Sequence, residues 1–214
     1  MGMLLVIDTA TAACSVALIE GDEVRHSTRE LVGRGHAERL VPMVEALLAQ
    51  AGGVVPDAIL VDCGPGSFTG VRVGLAAAIG MGLGWGVPVT GCSSMALVAA
   101  ARFAADPALE ACAVALTGGH GELFVQRFAA HPFAVIDALV SLPPAEAAAH
   151  VGGLTVVGSG AAALIAARGS GEGAGEMVES LPEAADAALL AEPFRTLEPR
   201  PIYGRPPDAK PKAA

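Results

Sequence analysis

The chain has 214 residues, 53% of them hydrophobic and only 16% charged, which excludes a disordered polymer and leaves enough apolar side chain for a substantial core. Its formal net charge is −9, and its two lysines, Lys210 and Lys212, both fall in the last five positions, so tight autonomous binding to a phosphate backbone is not expected. The four cysteines Cys14, Cys63, Cys92 and Cys112 are widely spaced without a C-x-x-C pair, which argues against a zinc ribbon or a disulfide scaffold and for free buried thiols.

The apolar run Met3 to Ile7 stops at Asp8, short of a signal-peptide core, and a cytoplasmic protein is expected. Strands are predicted at Met3 to Asp8, Cys14 to Glu20 and Glu23 to about Arg29, with Gly21-Asp22 as the second turn. From His36 onward, Leu40, Met43, Val44, Leu47, Leu48 and Ala51 recur on one helical face, and Gly52-Gly53 ends that helix. Ala58 to Cys63 reads as a buried strand, followed by the loop Gly64 to Gly70 and a small-residue helix to about Trp85. Strand Val87 to Thr90 and helix Ser94 to Ala104 follow. The uncharged stretch Val73 to Ala101 is long enough to cross a bilayer, but Pro88 and its glycines divide it into helix, strand and helix start, so no membrane span is expected.

After Asp106-Pro107 the strand pattern restarts at Cys112 to Thr117, Glu122 to Phe128 and Phe133 to Val140. A helix Pro143 to His150, strand Leu154 to Val157, turn Gly158-Ser159-Gly160 and helix Ala161 to Arg168 come next, then a loop Gly169 to Gly175 and a late helix Leu181 to Leu190. Three strands followed by alternating helix and strand, twice over, predict an α/β fold of two ribonuclease-H-like lobes, as in actin-like proteins, with the second lobe reduced. The expected division is 1–105 for the first lobe, 106–192 for the second and 193–214 for a tail returning to the first. Five of the thirteen basic residues, Arg195, Arg200, Arg205, Lys210 and Lys212, gather in that tail, within reach of an acidic partner or RNA.

Several segments could carry chemistry. Asp8-Thr9-Ala10-Thr11 ends the first strand, where a carboxylate and small hydroxyls can serve a nucleotide, and Gly158-Ser159-Gly160 is the matching turn of the second lobe; the same residues are also ordinary turn formers. The loop Gly64 to Gly70 fits neither a Walker loop, since Val71-Arg72 follows Gly70, nor a dinucleotide fingerprint. Gly70, Gly74, Ala78 and Gly82 recur every four residues, and a glycine inside a helix costs about 1 kcal/mol relative to alanine. Either close packing inside the fold or a subunit contact would offset that cost. His36 lacks a second histidine four positions on, since that residue is Leu40, and no metal is expected. Ser67 and Ser159 lie in glycine-flanked turns without a G-x-S-x-G frame, so no catalytic residue is assigned.

The stretch Ile59 to Ala78, with Gly64-Pro-Gly-Ser-Phe-Thr-Gly-Val-Arg-Val-Gly at its centre, continued by Gly86-Val-Pro-Val-Thr-Gly-Cys-Ser-Ser, resembles the hallmark of the TsaB (YeaZ) family. Similarity extends to Ile7 to Leu18, His36 to Met43, Val157 to Gly160 and Pro201 to Lys210. The resemblance implies a non-catalytic partner subunit that forms a heterodimer with TsaD and works with the ATPase TsaE. Their product would be N6-threonylcarbamoyladenosine on tRNAs reading codons that start with A, with tRNA met mainly through the complex. It also implies docking through the two helices that carry His36, Leu40, Met43, Val44 and Leu47, and Gly70, Gly74 and Ala78. No tightly bound cofactor is expected, ATP or ADP belonging to the complex, and the isolated chain could self-associate as a homodimer. The related TsaD carries H-x-x-x-H where this chain has His36 and Leu40. Two departures from the family are Thr117-Gly118-Gly119, in place of an Asp-Ala-Arg-like start, and Gly204 in place of a commoner Leu. The rival reading is a stand-alone ATP-binding protein or kinase using Asp8, Thr9, Thr11 and Gly158 to Gly160; a metalloprotease is a weaker third.

Overall fold

The computed structural model describes residues 2–168 and 176–204. The expected loop at 169–175 and the basic residues Arg205, Lys210 and Lys212 lie outside the described residues.

The first lobe is β1 (Met3–Asp8), β2 (Ala13–Glu20), β3 (Glu23–Leu31), α1 (His36–Gln50), β4 (Ala58–Asp62), α2 (Phe68–Trp85), β5 (Val89–Cys92) and α3 (Ser94–Ala105). Its sheet runs β3-β2-β1-β4-β5, antiparallel through the first three strands and parallel from β1 to β4 to β5. The second lobe is β6 (Ala111–Thr117), β7 (Leu123–Ala129), β8 (Ala134–Val135), β9 (Val140–Leu142), α4 (Pro144–Val151), β10 (Thr155–Val157), α5 (Ala161–Arg168) and β11 (Met177–Val178). Its order, β11-β10-β6-β7-β8 with β9 also on β7, repeats the first lobe in shortened form. The fold is therefore actin-like, with two ribonuclease-H-like lobes.

The central strands are apolar at nearly every position because both faces of each sheet are covered. Along β1, Leu5 and Ile7 face α1 and α2, while Leu4 and Val6 face α3. In β6, Cys112, Val114 and Leu116 meet α3, while Ala113 and Ala115 meet α4 and α5. Five layers result: α1 with α2, the first sheet, α3, the second sheet, and α4 with α5. Helix α3 buries Ser94 and the run Met95 to Ala100, so an alanine-rich helix, apolar all round, is what the space between two sheets requires.

Two predicted elements are corrected. Leu181 to Leu190 is not an α-helix but a 3-10 segment at Ala184–Leu189. Pro182 interrupts the helix start, the Ala184 N–H donates to Ser15 Oγ at 2.9 Å, and Ala184, Ala187 and Leu190 are buried at the three-residue spacing that suits a 3-10 turn. The expected strand Phe133 to Val140 is split into β8 and β9, because the Asp137 carboxylate accepts the Arg127 N–H at 2.9 Å and takes the place of a ladder bond. Past the second lobe the chain returns to the first: Leu197 pairs with Gly91 on the open edge of β5, and the Ile202 N–H donates to the Cys63 carbonyl at 2.8 Å.

Helix α2 has 18 residues and is long and apolar enough by length and composition to cross a membrane. One of its sides, through Gly70, Val71, Gly74, Leu75, Ala78 and Gly82, is buried.

Candidate functional site

The C-terminal ends of β1 and β4 carry Asp8 and Asp62 on the α3 side of the sheet, next to one another in parallel register. Both carboxyls are fully buried. Asp8 accepts the Ala10 N–H at 2.8 Å and the Ser15 hydroxyl at 3.2 Å; Asp62 accepts the Gly64 N–H at 2.8 Å and the Ser94 hydroxyl at 2.6 Å. The two carboxyls are near enough that a charge on Asp62 opposes ionisation of Asp8. Burial, reinforced by the charge of Asp62, holds the Asp8 pKa well above the usual carboxylate range. Burial also raises Asp62, to about 6, against the opposing bonds from Ser94 and Gly64.

Between the lobes opens a cleft of about 1080 Å³, framed by the loops after β1 and β4, the ends of β6 and β10 and the returning segment at 201–204. Of the residues expected to serve a nucleotide, Thr11 and Ser159 line it. Asp8 is withdrawn into the carboxyl pair, and Thr9, 1% exposed, donates its hydroxyl to the Gly70 carbonyl at 2.7 Å. The glycines Gly158 and Gly160 turn toward β6, where an added Cβ would collide with the Ala115 carbonyl or crowd Leu123. The structure therefore brings together only part of that predicted set.

Three cleft residues were not anticipated. Arg72 lies with its guanidinium carbon 3.3 Å from the centroid of the Phe68 ring and donates to the Tyr203 hydroxyl at 2.9 Å. The family-atypical positions also acquire physical reasons. Thr117 ties β6 to the facing turn, its N–H donating to Ser159 Oγ at 3.1 Å and its hydroxyl to the Ser159 carbonyl at 3.2 Å. A side chain at Gly204 would run into the Phe124 ring.

The residues expected at a partner interface lie inside the first lobe. Leu40, Met43, Val44 and Leu47 are 1 to 4% exposed and pack into the first lobe's own core, each such burial being worth about 1.5–3 kcal/mol. His36 is 7% exposed, and its Nε2 lies 2.8 Å from the Thr11 carbonyl and 3.2 Å from that of Ala13, fastening α1 to the loop after β1. Gly70, Gly74 and Ala78 are equally committed: a Cβ on Gly70 would meet the Thr9 carbonyl, and one on Gly74 the Thr9 hydroxyl. The amphipathic face read from the sequence is the face the helix turns to its own sheet, because that is where burial is available first.

The opposite sides of the same helices are different. Val41 on α1 is 52% exposed, and on α2 Ile79 and Leu83 are 40% and 81% exposed. Beside them Gly80 and Gly84 are exposed, and a Cβ on either would meet nothing within 4 Å. No contact within the described chain offsets the cost of those two helical glycines.

A family model described as TsaD, tRNA N6-adenosine threonylcarbamoyltransferase, matches residues 24–161. The chain is 45% identical over 102 residues to the tRNA threonylcarbamoyladenosine biosynthesis protein TsaB of Haemophilus influenzae, covering 47% of this chain and 43% of that protein. It is 44% identical over 98 residues to TsaB of Escherichia coli K12, covering 45% and 42% respectively. The matches thus span less than half the length of these curated relatives. Among solved structures, YeaZ from Pseudomonas aeruginosa superposes with a TM-score of 0.79 at 29% identity, covering 95% of this chain and all of that one, 100%. With the hallmark loop, the paired lobes and these comparisons in agreement, the chain belongs to the TsaD-type family and, within it, to the TsaB (YeaZ) branch.

Proposed function

We propose that this chain is the non-catalytic partner subunit of a TsaD–TsaB–TsaE assembly that forms N6-threonylcarbamoyladenosine on tRNAs reading codons that start with A. Its task is to dock on TsaD and stabilise the productive arrangement of that enzyme, with TsaE as the ATPase and tRNA held mainly by the complex.

The observation that carries the reading is the outer face of α1 and α2. Val41, Ile79 and Leu83 are exposed apolar side chains on these helices, and Gly80 and Gly84 leave the α2 backbone open to close approach. Such a face favours a partner helix, since water gains nothing from it and a packed helix does. The same face would pair two copies when the chain is alone. A non-catalytic role is supported by what the polar groups already do: Asp8 and Asp62 are buried and bonded to Ser15, Ser94 and backbone N–H groups, and His36 holds two carbonyls. The reading assigns no tightly held Mg-nucleotide to the isolated chain; ATP or ADP belongs to the complex.

The test is light scattering of the pure chain, alone and mixed with TsaD from the same organism, using parent, Leu83→Glu and Gly80→Arg proteins. A heterodimer formed by the parent and lost in both folded variants supports the reading. Equal association by all three proteins removes this face from the interface, and no association under any nucleotide condition removes the partner function.

A further inference from the structure

Helix α2 carries one continuous exposed face. Phe68, Arg72, Ala76, Ile79 and Leu83 are all exposed, and at about 100° per residue they fall within a sector of roughly 80° around the helix axis. The face is apolar except for Arg72, which is the only charged residue in α2.

That charge stands where the isolated helix does not compensate it. Side chains of a helix lean toward its N-terminus, and the Arg72 guanidinium carbon lies 3.3 Å from the centroid of the Phe68 ring in the first turn. The N-terminus is the positive end of the helix dipole, and the first turn of α2 holds no acidic residue. Among the described residues Arg72 has no carboxylate partner; it donates to the Tyr203 hydroxyl at 2.9 Å. The ring beneath and the hydroxyl beside it hold the guanidinium in place, so little side-chain freedom is left to lose when an anion meets it.

The exposed face of α1, which packs beside α2, has the opposite sign. Glu38 and Glu45 are exposed there on the same side as Val41, and neither forms an ion pair among the described residues, whereas the exposed Arg39 is engaged by Glu30 at 2.6 Å. Two copies of the chain meeting through these helices would set two unpaired carboxylates against one guanidinium on each side. A different partner, with a carboxylate opposite Arg72 and an apolar helix face along Ile79 and Leu83, meets a complementary surface.

We propose that Arg72 selects and orients the partner on this face by pairing with a single Asp or Glu carboxylate on the helix of TsaD that packs against α2. The inference rests on the partner reading and adds to it the direction of the contact. Apolar burial alone does not fix which way a helix lies along the face, because the hydrophobic effect is non-directional. A planar, two-pronged donor at one end does fix it. From Phe68 to Leu83 the face is about 22 Å long, so a reversed partner helix would bring its carboxylate against Leu83 and leave it without a counter-charge.

The experiment measures the Kd of the full chain for TsaD from the same organism at low and high salt, with parent, Arg72→Gln and Arg72→Glu proteins. Arg72 is exposed, so all three should share one thermal melt. Arg72→Gln should weaken binding by about tenfold at low salt and Arg72→Glu by more, with the gap between them narrowing as salt screens the charges. Reversing the charge of one TsaD carboxylate at a time should yield a partner that restores the affinity of Arg72→Glu and loses that of the parent. Parent and Arg72→Glu proteins binding TsaD equally well at low salt would overturn this inference and leave the partner reading standing. So would a loss that salt does not change and no reversal rescues, which would mark a packing role. No association of the parent with TsaD overturns both. Light scattering of each protein alone tests the competing occupant: self-association lost in Arg72→Glu, with TsaD affinity kept, assigns the carboxylate to a second copy and overturns the proposal.

Discussion

Asp8 and Asp62 lie side by side, fully buried, at the ends of two adjacent parallel strands, with Ser15 bonded to one carboxyl and Ser94 to the other. An unfolded aspartate ionises near pH 4, whereas folded Asp8 keeps its proton far higher and folded Asp62 to about 6. The folded state therefore binds more protons than the unfolded state above about pH 4, and stability falls as pH rises through that window. Asp186, raised to about 6 by burial and by Glu183, adds to the same trend. Asp8→Asn keeps a donor toward Asp62 without the titrating proton. Urea unfolding at several pH values should show the variant gaining on the parent as pH rises from about 4 to neutrality. A constant difference would mean that the buried pair does not hold its protons above the ordinary carboxylate range.

Close approach and partner docking separate cleanly on α2. Gly74→Leu drives a side chain into Thr9 and should cost about 3 kcal/mol or more, or prevent folding, whatever partner is present. Leu83→Glu, on a residue 81% exposed, should change the stability of the isolated chain by no more than about 0.5 kcal/mol. Chemical denaturation of both proteins decides the matter; a mild effect at Gly74 would show that α2 does not sit against Thr9.

Gly80 offers the opposite sign. Its Cβ position is open, so Gly80→Ala should stabilise the isolated chain by about 0.5–1 kcal/mol through helix propensity. If the glycine admits a partner backbone, the same change should weaken association with TsaD, read by light scattering.

His36 acts as a fastener. Removing its ring in His36→Ala leaves the Thr11 and Ala13 carbonyls without that partner and should cost about 1–3 kcal/mol, while chelators should leave the melting temperature of the parent unchanged. A chelator-sensitive melt would point to a metal instead.

The thiols report opening. Burial raises Cys14 to about 11, Cys63 and Cys112 to about 12 and Cys92 well above the ordinary range. Thiol-reactive dye should label the native protein only as fast as it unfolds. Rapid labelling without denaturant would reveal a lobe that opens by itself.

The amino-acid sequence by itself determined the element order and the doubled lobe, because strand and helix periods are local properties of the chain. Ile7 and Val61 lead directly into Asp8 and Asp62, so the runs Leu-Val-Ile-Asp and Ile-Leu-Val-Asp already held a sign of paired strand ends, yet only the parallel register of β1 and β4 brings the carboxyls together. The apolar stripe from Leu40 to Leu47 was legible as a helical face, but not what it would meet. Periodicity states that a face is buried and is silent on whether its own sheet or another molecule covers it. The tertiary structure assigned that stripe to the core and left Val41, Ile79 and Leu83 outside. It also set Arg72 against Tyr203, residues separated by 131 positions, and turned the Leu181 to Leu190 segment into a 3-10 strap between the sheets. Such outcomes depend on which surfaces compete for the same space, and that competition exists only once the chain has folded.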